Sequence, residues 1–394
     1  MQEGAIPLVQ YNNIVKAIPY VVILILSLTF LYVGNRVAVR GILIEDDVAQ
    51  FYEAVVRDIV HIEEHSSAFE EWFVYVFNAE VVRGERRGEM ATFTQNTRGG
   101  FFTRFPRVAQ EGDRIMLAQN AQGGWNFIDY VRIYHIMVLG GVFIVLLIIF
   151  GRVKGFNSIL SLGLTCTAIF AVFIPSIMSG MNVYISSIVV CIFSIITTIF
   201  IINGVNKKSV AAVTGCLGGI LVAGMLTLIM STAMMLTGVT QSDSTHLMYI
   251  FEYPVDLTAI IFAGIIIGAT GAIMDMAISI SSALWEIKAK APESTFSDIF
   301  KSGINIGKDI LGSSINTLVL AYIGSSLTII LILMGWGVSL FRLMNRELII
   351  VELLQAIAGS FGIFFAMPLT TLICAVLFTR KPKYSFDESK YLDY

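Results

Sequence analysis

The sequence predicts an α-helical polytopic membrane protein of about eight transmembrane helices, with one small β-rich domain outside the bilayer. The chain has 394 residues, of which 56% are hydrophobic and only 14% are charged, whereas a soluble domain is about 25% charged. Eight apolar stretches are long enough to cross a bilayer, which takes roughly 20 residues of helix. A single long polar segment, residues 36–132, separates the first stretch from the second.

The predicted spans are the longest apolar stretches of the chain, and they lie at residues 15–34, 133–151, 156–178, 183–203, 209–237, 256–285, 310–334 and 350–379. The first stretch has some features of a secretory signal peptide. However, Lys16 is its only basic flank, and the chain continues from Gly34 without a clear small-residue cleavage site. We therefore interpret the first stretch as an uncleaved membrane helix.

The distribution of basic residues predicts the orientation, because short cytoplasmic loops are enriched in Lys and Arg. Basic residues follow spans 2, 4, 6 and 8, and they are Arg152, Lys154, Lys207, Lys208, Lys288, Lys290, Lys301, Lys308, Arg380, Lys381 and Lys383. The opposite loops are poor in basic residues, apart from Arg342 and Arg346 in the last one. Both termini are then cytoplasmic. The predicted parts are a cytoplasmic N-terminus with the first span (1–35), the extracytoplasmic domain (36–132), a seven-helix bundle (133–379) and a cytoplasmic tail (380–394).

The extracytoplasmic segment has a pattern that favours short strands. Its first part, Asp46 to Glu64, is charged and of a helical type. The next part, Trp72 to Val82, is rich in aromatic and β-branched residues, which is typical of a strand. The turn Gly112-Asp113-Arg114 precedes alternating apolar residues and indicates a hairpin. The domain is therefore predicted to be small and β-rich.

Asp275, in the sixth span, is the most informative residue of the chain. An ionisable group at membrane depth costs roughly 2.5–3.5 kcal/mol on insertion scales. A chain retains such a group where it faces the bundle interior and has a function, or where a partner neutralises it. Ser279, Ser282 and Glu286 follow at helical spacing, so all four side chains share one stripe.

Spans 7 and 8 carry the other polar residues of the predicted path, namely Asp309, Ser313, Asn316, Thr317, Tyr322, Glu352 and Gln355. Asp309 lies near the inner boundary, where a carboxylate favoured by a helix start is an alternative interpretation. Asn316 is deeper, and a buried amide in lipid needs a partner in the bundle interior or in a wet cavity. The structural alternative for the whole set is that Asp275 and Asn316 only lock helices together.

Glycine and proline indicate close helix contacts and kinks. Gly-x-x-x-Gly pairs begin at Gly215 in span 5 and at Gly264 in span 6, and such pairs let another helix approach closely. Pro175 and Pro368 predict kinks. Interrupted helices often line binding sites in transporters.

The sequence lacks the motifs of several enzyme classes. It has no His-Glu-x-x-His motif, no phosphate-binding loop and no second central aspartate to pair with Asp275. His61 and His65 flank Glu64, where we expect a solvated helix face. We therefore expect no enzyme, no cofactor, no metal site and no nucleic-acid partner. The four cysteines all lie in apolar spans and are predicted to be packing residues, and they are Cys166, Cys191, Cys216 and Cys374.

Two long motifs resemble the core of the YibE/F family of bacterial multi-span membrane proteins. The first runs from Gly268 to Glu286 and contains Gly-Ala-Ile-Met-Asp-Met-Ala-Ile-Ser, and the second runs from Gly307 to Ser326. The Met367-Pro-Leu-Thr370 ending is also similar, and the likeness extends from near Phe73 through span 8. Where the family usually has Gly-Thr, this chain has Gly312-Ser313, which keeps the hydroxyl.

The resemblance implies a plasma-membrane protein, mostly of Gram-positive bacteria, that is often made beside a paralogous partner. The module after the first span, with its Gly112-Asp113-Arg114 turn, is similar to that of YibE-like members. The resemblance supplies no biochemical activity. A second similarity, of architecture only, is to the SecF-like half of proton-driven permeases.

We expect a secondary transporter or export permease of unspecified substrate, coupled to a proton or another ion through Asp275. The residues expected along its path are Asp275, Ser279, Ser282, Glu286, Asp309, Ser313, Asn316, Thr317, Tyr322, Glu352 and Gln355. The alternative is a non-transporting scaffold or accessory subunit that acts through its extracytoplasmic domain. The expected partners are the lipid bilayer, a small solute or ion, and a paralogous membrane protein or a second copy of the chain.

Overall fold

A computed structural model of the chain describes residues 8–41, 51–66, 70–100, 107–120, 123–240, 247, 254–335 and 337–379. The chain divides into two compact units. The larger unit contains Met1–Ile42 and Phe150–Tyr394, and the smaller unit is Leu43–Ile149. The sequence-based division assigned all of span 2 to the bundle, whereas the structure groups residues 133–149 with the smaller unit.

The smaller unit contains a closed five-stranded barrel. Its strands are β1 (Phe51–Ser66), β2 (Glu70–Arg83), β3 (Met90–Gly100), β4 (Arg114–Gln119) and β5 (Trp125–Tyr130). They close in the order β1-β2-β3-β5-β4, and every pair is antiparallel except β3 with β5. This order, with its single parallel pair, is that of an OB fold. The prediction of a small β-rich module is confirmed, although the sequence did not indicate this topology.

The barrel core shows why the helical prediction for Asp46–Glu64 is wrong over its described part. Tyr52, Ala54 and Val56 alternate into the core and are buried, so β1 follows the two-residue period of a strand despite its charges. Residues 46–50 of that prediction lie outside the described part of the chain. Phe77 and Phe93 stack in the same core with ring centroids 5.2 Å apart.

The predicted turn at Gly112 is present, but it does not join two strands. Gly112 has a positive φ of 86°, a conformation that glycine adopts without strain. The strand that follows, β4, pairs with β1 and β5. The residues just before the turn, 107–110, form no strand. The hairpin of this region is instead β4 with β5.

The remaining described elements are helices, and they are α1 (Leu8–Ala38), α2 (Ile133–Ala168), α3 (Ile174–Met178), α4 (Val183–Asn203), α5 (Lys207–Ala233), α6 (Leu257–Lys290), α7 (Phe296–Gly335), α8 (Leu340–Met344) and α9 (Glu347–Thr379). Among the described residues, seven helical stretches are long and apolar enough to cross a membrane. This architecture fits a multi-pass membrane protein.

The count of seven differs from the eight predicted spans because spans 2 and 3 form one stretch, Ile133–Met178. The stretch is not uniform. Arg152 has φ 47° and ψ −128°, which breaks the helix at the predicted gap between the two spans. Residues Ile169–Phe173 form a π-helical turn just before Pro175, the residue at which the sequence predicts a kink. By contrast, α9 continues through Pro368 as a single helix.

The helical core is held together at glycines. A Cβ added at Gly219 on α5 would lie 2.7 Å from the carbonyl oxygen of Gly362 on α9. One added at Gly215 would overlap with Oγ1 of Thr370. Since lipid chains are as apolar as leucine, membrane helices associate through such close packing. The Gly-x-x-x-Gly pair of span 5 is therefore a helix contact, as predicted.

Candidate functional site

The central helix α6 positions Asp275 near the middle of the membrane-spanning part. Asp256 caps the start of α6, where its Oδ1 accepts a hydrogen bond from the Ala259 amide at 3.0 Å. Lys288 and Lys290 lie in its last turn. The helix contacts α4, α5, α7 and α9. One side of α6 is therefore completely buried, and it includes Ile266, Ala269, Ile273, Met276 and Ile280.

The opposite side of α6 is largely uncovered by the described part of the chain. We call it the open face, and it consists of Gly264, Gly268, Gly271, Asp275, Ser279, Ser282 and Glu286. All of these are exposed except Ser282, which is partly buried. A Cβ added at Gly264 or Gly271 would meet no atom within 4 Å. The predicted polar stripe is thus part of a longer face of small and polar side chains.

The carboxylate of Asp275 makes no hydrogen bond or ion pair with any residue that the structure describes. The nearest basic residue along α6, Lys288, is more than three turns away, about 20 Å at the helical rise. A carboxylate in this position would cost several kcal/mol if it faced lipid. Water, a bound proton or cation, or a second protein chain must therefore compensate for its charge.

The structure corrects the interpretation of Asp309 as a helix-start carboxylate. Helix α7 begins at Phe296, four turns earlier, because Thr295 and Asp298 form a reciprocal capping pair. The Asp298 amide donates to Thr295 Oγ1 at 3.3 Å, and the Thr295 amide donates to Asp298 Oδ2 at 2.9 Å. Asp309 therefore lies inside α7, where its side chain is exposed.

The other predicted polar residues of α7 divide into two groups. The hydroxyls of Ser313 and Thr317 donate to backbone carbonyls of their own helix, each at 2.9 Å. Asn316 is exposed and, among the described residues, makes no hydrogen bond with Asp275. The interior location expected for Asn316 is therefore not seen in the single chain.

Three predicted residues do come together near the N-terminal end of the open face. A Cβ added at Gly268 would lie 2.8 Å from Tyr322 Oη and 3.3 Å from Gln355 Nε2. Glu352 lies one turn from Gln355 on α9 and interacts electrostatically with Tyr322. In the described part of the chain, the Tyr322 hydroxyl is buried beside the Gln355 amide but makes no hydrogen bond of regular geometry. The missing side chain at Gly268 makes room for this cluster.

Sequence reasoning missed two further buried hydroxyls without a hydrogen-bond partner among the described residues. Thr370 and Thr371 on α9 are fully buried, and neither has a hydrogen-bond partner among the described residues. They pack against Gly215 on α5 and Gly303 on α7. The glycine spacing of α5 predicted a close contact, but it contained no information about which helix makes it.

The described histidines and cysteines do not come together in a cluster. His61 and His65 lie on strand β1, so the helix face expected there is wrong. Within the described ranges, no three His, Cys, Asp or Glu side chains cluster as they would around a metal ion. Cys191, Cys216 and Cys374 are buried and Cys166 is exposed, and all are free thiols.

The fold and the site define a polytopic α-helical membrane protein whose central helix carries a carboxylate without a partner among the described residues. The model of the YibE/F-like protein family matches residues 139–380, and the chain belongs to that family. The matched range contains every predicted path residue and leaves the barrel outside. No curated protein and no solved structure matches the chain.

Proposed function

We propose that the chain is a secondary transporter or export permease in which Asp275 couples solute movement to a proton or another cation. The observation that carries this proposal is the unpaired Asp275 carboxylate on the open face of α6. A coupling carboxylate must bind and release its cation repeatedly, so it cannot be locked in a permanent ion pair. Asp275 meets that requirement within the described part of the chain.

The dimensions of the open face also support a path. From Gly264 to Glu286 the face extends about 33 Å at the helical rise, which matches the roughly 30 Å hydrocarbon core. Every residue along it is glycine, serine or acidic. Ser279 and Ser282 lie between Asp275 and the lysine-rich end of α6, and the Tyr322–Gln355 cluster lies at the other end. We assign Asp309 and Asn316 on the adjacent helix α7 to the same path.

The proposed topology has eight crossings with both termini in the cytoplasm. A continuous helix of 46 residues, Ile133–Met178, would be about 69 Å long, more than twice the hydrocarbon thickness. The backbone break at Arg152 divides it into two pieces, each long enough to cross. Arg152 and Lys154 then lie at a cytoplasmic turn, which agrees with the preference of cytoplasmic loops for basic residues.

The test of the function uses purified protein in liposomes loaded with the small-molecule fraction of the producing cell's cytosol. A pH gradient is imposed, and an entrapped dye reports proton entry. We expect the native chain to dissipate the gradient faster than empty liposomes, and Asp275→Asn to abolish the difference. Asp256→Asn is the matched control, since it keeps the helix cap and should retain activity. Equal proton entry through the native chain and Asp275→Asn would exclude proton coupling through Asp275, and the same comparison under an imposed sodium gradient, if also equal, would remove the coupling role.

One observation favours the second candidate function, a scaffold or accessory subunit. None of residues 133–150, the apolar helix that follows the barrel, is buried in the single chain. Such a helix can contact lipid or a paralogous membrane partner on all sides. Deletion of residues 46–128 would destroy a scaffold's function while Asp275→Asn would not, and a transporter requires Asp275.

A further inference from the structure

A cavity of about 810 Å³ lies within the smaller unit, beside the end of β5 and the first turn of α2. Its lining includes the three arginines Arg107, Arg114 and Arg132, together with Tyr130 and His135. Asp113 is the acidic residue of the lining. The carboxylates that pair with Arg114 and Arg132 belong to Glu53 and Asp129, which are outside the lining. The wall itself therefore carries three guanidinium groups and one carboxylate, and the carboxylates that balance the other two guanidinium groups lie behind the wall.

The three guanidinium groups are held in place, and each keeps N–H donors that are free to bind a ligand. Arg107 and Arg132 both lie over the Tyr130 ring, at 5.4 and 5.6 Å from its centroid, and Arg114 lies 5.2 Å from the centroid of Tyr134. Each also pairs with one carboxylate at 2.8–2.9 Å. A guanidinium has five N–H donors. Because all three side chains are more than half exposed, donors remain available to a ligand.

Hydrogen bonds fix the two tyrosines on which the arginines lie. The Tyr130 hydroxyl donates to the carbonyl oxygen of Arg107 at 2.7 Å. The Tyr134 hydroxyl donates to Glu53 Oε2 at 2.8 Å. A hydrogen bond from Arg132 lowers the pKa of the Asp129 carboxyl, so that pair stays charged at neutral pH. The arrangement of the cavity is thus set before a ligand arrives.

The cavity lies beside the start of a long apolar helix. Helix α2 begins at Ile133, and residues 136–150 contain no charged side chain. None of residues 133–150 is buried, and a helix of this kind that crosses a bilayer would enter it within about one turn of the cavity. Amphipathic aromatic residues such as Tyr130 and Tyr134 are favoured at the membrane surface.

We propose that this cavity binds a phosphate ester at the membrane surface, supplied by the headgroup of an anionic phospholipid. Planar guanidinium groups recognise phosphate through paired hydrogen bonds, and several of them converge here. The site is separate from the open face of α6 and does not depend on a transport function. A soluble phosphate has the same anionic chemistry, so the experiment distinguishes the two sources.

The experiment titrates the full-length protein in detergent with short-chain phosphatidylglycerol and counts bound lipids by native mass spectrometry. Short-chain phosphatidylcholine and inorganic phosphate are the other two probes. The double variant Arg107→Gln/Arg132→Gln removes two of the cavity's charges. Arg57→Gln is the matched control, because Arg57 is similarly exposed and pairs with Glu80 outside the cavity.

We expect the first phosphatidylglycerol to bind the double variant at least about tenfold more weakly than the native chain, since two charge-assisted hydrogen bonds are lost. Arg57→Gln should bind like the native chain, and phosphatidylcholine should bind weakly to all. Binding of inorganic phosphate to the native chain without binding of phosphatidylglycerol would identify a soluble phosphate as the source and overturn the lipid proposal. Equal lipid binding by the native chain and the double variant, or an equal loss in Arg57→Gln, would overturn the proposal.

Discussion

At the scale of single residues, the structure separates two kinds of polar group in the membrane part. Ser313 and Thr317 donate hydrogen bonds to backbone carbonyls of their own helix. Their hydroxyls are therefore satisfied locally and do not need a partner on another helix. Asp275 and the hydroxyl of Tyr322 make no hydrogen bond of regular geometry in the described part of the chain. A cost that the fold does not offset is typical of groups retained for function.

The first prediction concerns the stability of Asp275 variants. Because no described residue pairs with the carboxylate, Asp275→Asn should leave the free energy of unfolding unchanged or raise it. Asp256→Ala on the same helix removes a capping hydrogen bond and should lower it by about 1 kcal/mol. Thermal unfolding of both variants in detergent measures the difference. A marked destabilisation by Asp275→Asn would indicate that the carboxylate has a partner within the fold.

At the scale of elements, the glycines of α5 and α7 determine which helices touch. Gly215 and Gly219 accommodate α9 from one side, and Gly303 and Gly307 accommodate it from another. The glycines of the open face, Gly264 and Gly271, accommodate no described atom. Glycines at similar helical spacing therefore have different roles, and only the packing distinguishes them.

The second prediction compares two glycines. Gly219→Ala places a Cβ 2.7 Å from the backbone oxygen of Gly362, which a backbone shift must relieve at a cost of about 1–3 kcal/mol. Gly163→Ala is the matched control, since nothing lies within 4 Å of its added Cβ. That change should be neutral or slightly stabilising, because alanine favours helix. Thermal unfolding measures both variants, and equal melting temperatures would contradict the glycine contact.

At the scale of the whole molecule, the chain combines a helical membrane unit with an OB-like barrel unit. The helix that follows the barrel is apolar on all sides and unburied, as expected of a segment surrounded by lipid or by another protein. The number of crossings depends on the break at Arg152. One crossing more or fewer at this point would place the preceding part of the chain, including the barrel, on the opposite side of the membrane.

The third prediction tests the eight crossings with single cysteines in a chain whose four native cysteines are replaced. Arg57→Cys and Met181→Cys should react with a membrane-impermeant maleimide from outside intact cells. Lys154→Cys and Lys208→Cys should react only after the membrane is made permeable. Labelling of Met181→Cys but not of Arg57→Cys in intact cells would indicate that Ile133–Met178 crosses only once and would reduce the number of crossings to seven.

Local patterns were sufficient for several features of the fold and the site. The strand Trp72–Val82 follows from its aromatic and β-branched composition, and the shared stripe of Asp275 and Ser279 follows from helical spacing. The break between spans 2 and 3 follows from the interruption of the apolar run near Arg152. The start of α7 was misplaced because the capping pair Thr295–Asp298 lies in a polar stretch, outside the apolar run that defined the span. The strand β1 was misjudged because its charges concealed the alternation of its buried residues.

The sequence by itself determined the membrane class, the family and the placement of Asp275 on a polar helical stripe, because hydrophobicity and helical period act within a segment. Only the tertiary structure decided that this stripe is left open, that Tyr322 meets Gln355 beside Gly268, and that five strands close into a barrel. These features depend on contacts between segments distant in the chain. Their geometry is set by packing, which no local pattern specifies.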